Sequence, residues 1–376
     1  MASITNEYIE TRLFISGEFR ESSSNKTFQV VYPYTQQVVG HEADVQDRGA
    51  YLRKLSQLIR ESNNELAKHE TLSTGRPILQ FFDTTITAEF FEYFSGGGWT
   101  AQGTAMALIF PWNFPLVMFA EKMAPALAAG NTVGLKSSEK APLTVFSLCS
   151  KTHSTSGFPS WSDKIISGFG NPAGVALASH MTIRCISFTG SSKTVHKIQA
   201  AAAMSNMKYV HMELGGKSPV IIFEDADLET AVAQSQFRVS GRAIQLFREK
   251  FGAARLGDPL NPATSHGPQI DLLQYTRIKE YVAIGEKDGT LTLGGDVNDG
   301  FFVRPTVFEG VAENSRLMQE EAFGPVVKEL YDTKDEFGPT YDIKHSSKPD
   351  GKDLVNNINN TTFGMVHWHK DKYAWG

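Results

Sequence analysis

The sequence predicts an α/β protein: a parallel-sheet domain over residues 1–214 and a second α/β domain over 215–376. Three observations point there. From Ala105 onward, apolar runs of strand length alternate with helical patterns, as in a parallel sheet covered on both faces. Several apolar runs end in turn-rich segments (Pro111-Trp112-Asn113-Phe114-Pro115, Thr189-Gly190-Ser191, Gly215-Gly216), the places where an open parallel sheet holds ligands. A chain of 376 residues can also bury a large core and split into more than one domain.

The elements follow in order. Residues 12–40 alternate apolar and polar around Gly17, Pro33 and Gly40 and read as short strands and turns. Leu52, Leu55, Leu58, Ile59 and Leu66 share one stripe, which predicts an amphipathic helix over 48–70, closed by Thr74-Gly75-Arg76-Pro77. A Phe-rich face (Phe82, Phe90, Phe91, Phe94) predicts a helix over 82–94, broken by Gly96-Gly97-Gly98. Strands are expected at 105–110, 131–136, 164–167, 185–188, 209–213 and 220–223. Helices are expected between them at 115–129, 143–152, 173–179 and 193–203, with one more at 225–236. Gly130 is the expected C-cap of the first of these and Asp225 the cap of the last. Residues 333–353 are polar and dotted with Pro and Gly, the composition of a loop.

Bulk properties narrow the function. The net charge of −5 gives no reason to expect nucleic acid or an anionic membrane as partner. No apolar run approaches the length of a spanning helix, and the polar N-terminus, with Glu7 and Glu10, matches neither a secretory signal nor a transit peptide. Two cysteines are too few for a disulfide framework or a zinc cage, so reduced thiols in the cytoplasm are the expectation. His367-Trp368-His369 lacks a further ligand set, and no metal is expected.

The residues able to do chemistry lie at the strand ends. Asn113 can present its amide N–H to a developing oxyanion; the alternative is a rigid turn with Trp112 packed and Asn113 bonding the backbone. Lys136 and Glu139, flanking Ser137-Ser138, can hydrogen-bond the hydroxyls of an adenosine ribose, or they form a solvated pair at a helix start. Gly168-Phe169-Gly170-Asn171-Pro172-Ala173-Gly174 matches a dinucleotide fingerprint only loosely, because Ala173 stands where the third glycine belongs. The Gly190-Ser191 turn offers backbone N–H groups to a pyrophosphate, or is a plain connection. Glu213, ending a strand before Gly215-Gly216, can be half-buried with a raised pKa suited to a general base, or it bonds a helix N-terminus. Glu321 and Phe323 can offer a carboxylate to a ribose and an aromatic face to a nicotinamide, or they form a loop salt bridge and a core ring. Cys149 lies on an apolar helix face and Cys185 in a buried strand, both settings that raise a thiol pKa and blunt its reactivity.

Taken together, Ile109–Pro115, Glu213-Leu214-Gly215-Gly216-Lys217-Ser218-Pro219 and Glu321-Ala322-Phe323-Gly324-Pro325-Val326 resemble the aldehyde dehydrogenase superfamily, in order from about residue 12 to residue 370. The resemblance implies that 1–214 is a dinucleotide-binding domain and 215–376 an incomplete catalytic-type domain, and it implies NAD(P)-dependent oxidation of a small-molecule aldehyde to a carboxylic acid, through a cysteine thiolate, a hydride transfer and a glutamate that activates water. By motif match, Asn113 resembles the oxyanion amide and Glu213 the general base. Lys136 and Glu139 resemble the adenosine-ribose contacts, Ser191 the pyrophosphate contact, and Glu321 and Phe323 the nicotinamide-side contacts. Trp112, Ser138 and Gly190 join the cofactor set within the same motifs. Glu139 favours NAD, with NADP the alternative.

The chain also departs from the family. After Phe237 the family runs into a Gly-Gln-x-Cys segment, whereas here Arg238-Val239-Ser240-Gly241-Arg242 follows and the nucleophile is missing. A Gly-rich link replaces an assembly hairpin between Phe94 and Ala105, a helical piece is missing near 44–47, and the Pro-Phe-Gly-Gly segment does not follow Trp368. Val195 stands where the family carries Gly. The expectation is therefore an impaired or inactive member that keeps its NAD site and is monomeric. Two alternatives stand beside it: an active enzyme with an unconventional nucleophile such as Cys185, and a non-enzymatic nucleotide-binding or scaffold protein.

Overall fold

The structure is a computed structural model that describes residues 13–15, 18–20, 45–97, 103–156, 163–216, 249 and 251–328 except 299 and 313. The chain forms two compact units, 1–214 with 258–263, and 215–257 with 264–376.

In the first unit, the stripe of leucines folds as two helices, α1 (Val45–Glu61) and α2 (Asn63–Thr74), rather than the single predicted helix. The break falls at Ser62 (φ −93°, ψ 10°), where Ser62-Asn63-Asn64 places weak helix formers in succession. Gly75 ends α2 in the left-handed region (φ 77°) and returns its N–H to Thr71 O, a conformation that favours glycine. The Phe-rich helix is α3 (Asp83–Ser95), and the ring of Phe91 packs 5.9 Å from that of Phe119.

Strand and helix then alternate as predicted. They are β3 (Ala105–Ile109), α4 (Pro115–Ala128), β4 (Thr132–Ser137), α5 (Leu143–Ser156), β5 (Asp163–Ser167), α6 (Val175–Ser179), β6 (Cys185–Gly190), α7 (Ser192–Met204) and β7 (Tyr209–Leu214). With the short strands β1 (Leu13–Ile15) and β2 (Glu18–Arg20), they build one sheet in the order β2-β1-β5-β4-β3-β6-β7. The five strands from β3 to β7 are mutually parallel, and β1 is antiparallel to β5.

Period-two alternation sends side chains to two cores. Leu108, Val133, Leu135 and Ile165 pack under α1, α3, α4 and α5; Ala107, Ile109, Ile186 and Phe188 pack under α6 and α7. The predicted strand at 220–223, the helix at 225–236, all of 21–40 and the loop at 333–353 lie outside the described residues. So do residues 98–102 and His367-Trp368-His369.

In the second unit, α8 (Leu272–Asp288) is capped by Asp271, whose carboxylate accepts from Gln274 N at 2.8 Å. A three-stranded sheet runs β12 (Val326–Lys328), β11 (Thr306–Glu309), β8 (Thr290–Leu293), and β9 (Val297–Asn298) pairs with β10 (Phe302–Val303). Ile278, Tyr281 and Val282 of α8 close a core over Phe308 and Val303, together with Leu317 of the short helix α9 (Arg316–Gln319).

Candidate active site

The strand order reverses at β3. From β3 the chain moves outward through β4 to β5, then returns to place β6 on the other side of β3. In an open sheet the crevice beyond the carboxyl ends at such a reversal is the ligand site, because flanking loops diverge there. Ile109 ends β3 in register with Lys136 of β4 and Phe188 of β6, so the Pro111–Phe114 turn, the Ser138–Glu139 turn and the Gly190–Ser191 turn open on one edge.

Pro115 starts α4 at its first position, where its missing N–H costs nothing. Asn113, just before it, has its Oδ1 buried without a hydrogen-bond partner, so the turn as it stands does not use that polar atom. Trp112 lies under Lys140, whose Nζ is 5.7 Å from the ring centre. The Phe114 ring faces the Arg76 guanidinium at 4.6 Å.

Lys136 is not a solvated partner. Its side chain is 5% exposed, Nζ donates to Ser137 O at 3.0 Å, and the Glu139 carboxylate lies 3.6 Å away. Burial lowers the Lys136 pKa, against the opposing pull of Glu139. Ser138 is buried and its hydroxyl accepts from Lys140 N at 3.3 Å. At the next strand end, a Cβ on Gly190 would fall 2.7 Å from the Phe188 ring, so only glycine fits the close turn. Ser191 caps α7, accepting from Thr194 N at 3.4 Å. Val195 is buried in the second core beside Phe188 and Ile198.

Glu213 corrects one expectation. Its side chain is 53% exposed, near the half-burial expected, but its pKa is lowered rather than raised. The first cause is a hydrogen bond from the Glu121 carboxyl, aided by the Thr189 hydroxyl, which donates at 2.8 Å, and by Lys122. The raised carboxyl is Glu121, pushed to about 7 by burial and then by its bond to Glu213. The proton of this pair sits on Glu121. Lys122 Nζ, nearly buried, is 3.2 Å from Ser187 Oγ and 3.8 Å from Glu213. Together with Met106, Leu108, Asn131 and His211, these three charged residues line a cleft of about 270 Å³. Sequence reasoning missed Glu121 and Lys122. The available signal was that they are the two charged residues in the otherwise apolar run 115–128, and charges in such a run are buried only when partnered.

Glu321 and Phe323 belong to the second unit. A carboxylate oxygen of Glu321 lies beside Gly215, where a Cβ would collide with it. Phe323 is part-exposed, and its carbonyl accepts from Gln274 Nε2.

Neither thiol is at the carboxyl ends of the strands. Cys185 opens β6, paired with Met106 and Tyr209, whereas Glu213 pairs with Thr189 four residues further along. At about 3.3 Å per residue that separates Cys185 from the Glu213 level by roughly 13 Å. Burial raises the Cys185 pKa, and Cys149 is enclosed in the first core.

The family model "Aldehyde dehydrogenase family" matches residues 41–243 and 236–336, most of the chain. The chain belongs to the aldehyde dehydrogenase family. Its two matched stretches overlap at 236–243, and no cysteine lies there. Among related aldehyde dehydrogenases, family 2 member B4, mitochondrial, of Arabidopsis thaliana is 37% identical over 385 residues, covering 84% of this chain and 71% of that protein. Human retinal dehydrogenase 2 is 34% identical over 427 residues, covering 95% and 79%. That alignment is longer than the 376 residues present here, so the human enzyme carries internal residues without counterpart in this chain. In three dimensions, a mutant indole-3-acetaldehyde dehydrogenase of P. syringae in complex with NAD+ and IAA superposes with a TM-score of 0.82, at 29% identity over 97% of this chain and 86% of that one. A mutant aldehyde dehydrogenase of Bacillus cereus gives 0.81, at 29% identity over 96% and 84%. The aldehyde dehydrogenase fold and its parallel sheet are therefore those the sequence predicts. Among the described residues no helix is long and apolar enough to cross a membrane.

Proposed function

We propose that this aldehyde dehydrogenase retains the NAD site of its family and lacks ordinary thiol-dependent aldehyde oxidation. The observation that carries the reading is the placement of the thiols, one at the far end of β6 and one inside the first core. Two features support the cofactor half. The strand order reverses between β3 and β6, and a buried Lys136 stands beside a part-exposed Glu139 at the adjacent strand end. When bound, NAD+ supplies a hydride acceptor.

The residues of this chain divide the remaining work. Lys136 and Glu139 hold the adenosine ribose, and the Glu139 carboxylate repels a 2′-phosphate, favouring NAD over NADP. Ser191 and the first N–H groups of α7 receive the pyrophosphate, with Gly190 allowing its close approach. Trp112 and Ser138 line the same turns, and Glu321 and Phe323 match the family's nicotinamide-side motif. Asn113 points an amide at the substrate oxygen, and Glu213, ionised at neutral pH, accepts a proton from water. With no thiolate to capture the aldehyde carbon, no covalent adduct forms and the family rate is lost by many orders of magnitude.

Calorimetry with NAD and an NADH assay with short aldehydes test both halves. Heat on NAD addition without NADH formation is the expected result. NADH formed at ordinary family rates, and abolished by iodoacetamide, would overturn it in favour of an unconventional cysteine nucleophile. Absence of NAD binding would overturn it in favour of a scaffold.

A further inference from the structure

Behind the Pro111–Phe114 turn lies a buried charged cluster that no step above uses. Glu70 and Asp83 are both 0% exposed. Arg76 pairs with Asp83 and lies 3.9 Å from Glu70. Three ionisable groups so placed are costly to bury unless their charges balance. Burial raises Glu70 to about 8, so it is neutral at neutral pH, and the Arg76–Asp83 pair stands one to one.

Two contacts lead from this cluster into the turn. The Arg76 guanidinium lies 4.6 Å from the centre of the Phe114 ring, within cation–π range. Glu70 Oε1 accepts from Leu116 N at 3.4 Å. The start of α4 needs that acceptor. Phe114 makes no capping side-chain bond and Pro115 has no N–H, which leaves the Leu116 N–H as the leading free donor of the helix. Phe114 and Leu116 thus fasten both sides of Pro115, and Asn113 and Trp112 immediately precede the fastened segment.

We propose that Arg76, braced by Asp83 and Glu70, is a positioning residue that holds the Trp112-Asn113-Phe114 turn in the shape that receives the nicotinamide end of NAD. This rests on the NAD site proposed above. Arg76 acts through Phe114 and touches neither cofactor nor substrate. A lysine keeps the charge but loses the planar face that lies against the ring while bonding Asp83, so it restores only part of the effect.

The test titrates the full chain with NAD and with ADP, which reaches only the adenosine and pyrophosphate contacts. Arg76→Met is expected to weaken NAD about tenfold or more while leaving ADP within about twofold, and Arg76→Lys to recover part of the loss. Unchanged NAD affinity in Arg76→Met overturns the proposal. Equal loss of NAD and ADP also overturns it, since that marks general destabilisation. Wild-type protein that binds neither ligand overturns the NAD-site reading instead, and the positioning role with it. If Arg76→Met does not fold, Phe114→Leu removes the ring, keeps the Arg76–Asp83 pair, and must show the same split between NAD and ADP.

Discussion

Lys122 Nζ stands 3.8 Å from a carboxylate oxygen of Glu213, and its own side chain is only 3% exposed. A buried ammonium needs a counter-charge, and here two carboxyls answer one cation. The mismatch is resolved by a proton retained on Glu121, which bonds Glu213. The net charge of this trio therefore changes near neutrality.

That coupling sets a pH dependence. Glu121 is raised from 4.5 unfolded to about 7 folded, so its protonated form favours the fold. The contribution is complete below the unfolded value and is lost as pH climbs to about 7. Glu213, lowered in the fold, contributes in the opposite sense and loses its share as pH falls below 4.5. Glu70 adds a second loss on the alkaline side, up to about 8. Urea unfolding between about pH 5 and 8 is expected to show a falling midpoint, with a shallower fall in Glu121→Gln. Identical slopes in the two proteins would remove Glu121 from this account.

Restoring the glycine that the family carries at position 195 is expected to destabilise this chain. Val195 is 5% exposed within α7 and fills the second core. Val195→Gly opens a cavity and adds a flexible residue to a helix, a combined cost of about 2–4 kcal/mol. Thermal or urea unfolding reads it directly, and a neutral or stabilising change would mean that the site collapses without loss.

Both cysteines are expected to resist alkylation in the native protein. Cys149 is 4% exposed and so shielded from the reagent, and burial raises the Cys185 pKa, which keeps its thiolate fraction small at neutral pH. A thiol titration should run slowly before denaturant and reach both cysteines promptly after it. A rapid reaction of one thiol in the folded protein, blocked by an aldehyde, would show a nucleophile after all.

Much of the first unit was readable from residue order. Runs such as Ala105–Ile109 declare buried strands because a strand covered on both faces is apolar throughout. The Pro111–Pro115 turn and Gly190 declare strand ends because few residues suit those turns. The break at Ser62 was hidden, because the leucine stripe continues across it and only the polar Ser-Asn-Asn signals the turn. The region from 255 to 328 was marked only by its family motifs. Its strands are two to four residues long, too short for a period to register.

By itself the sequence determined the family, the alternating sheet-and-helix order and the missing thiol, because each is a matter of residue identity and spacing along one chain. Only the tertiary structure decided which carboxyl keeps the proton, which lysines are buried and how far Cys185 stands from Glu213. Proton affinity depends on neighbours: Glu121 and Lys122 on α4 meet Glu213 on β7 and Ser187 on β6 only once the helix lies against the sheet. The same holds for Arg76, whose contacts with Glu70, Asp83 and Phe114 are assembled from α2, α3 and the turn before α4.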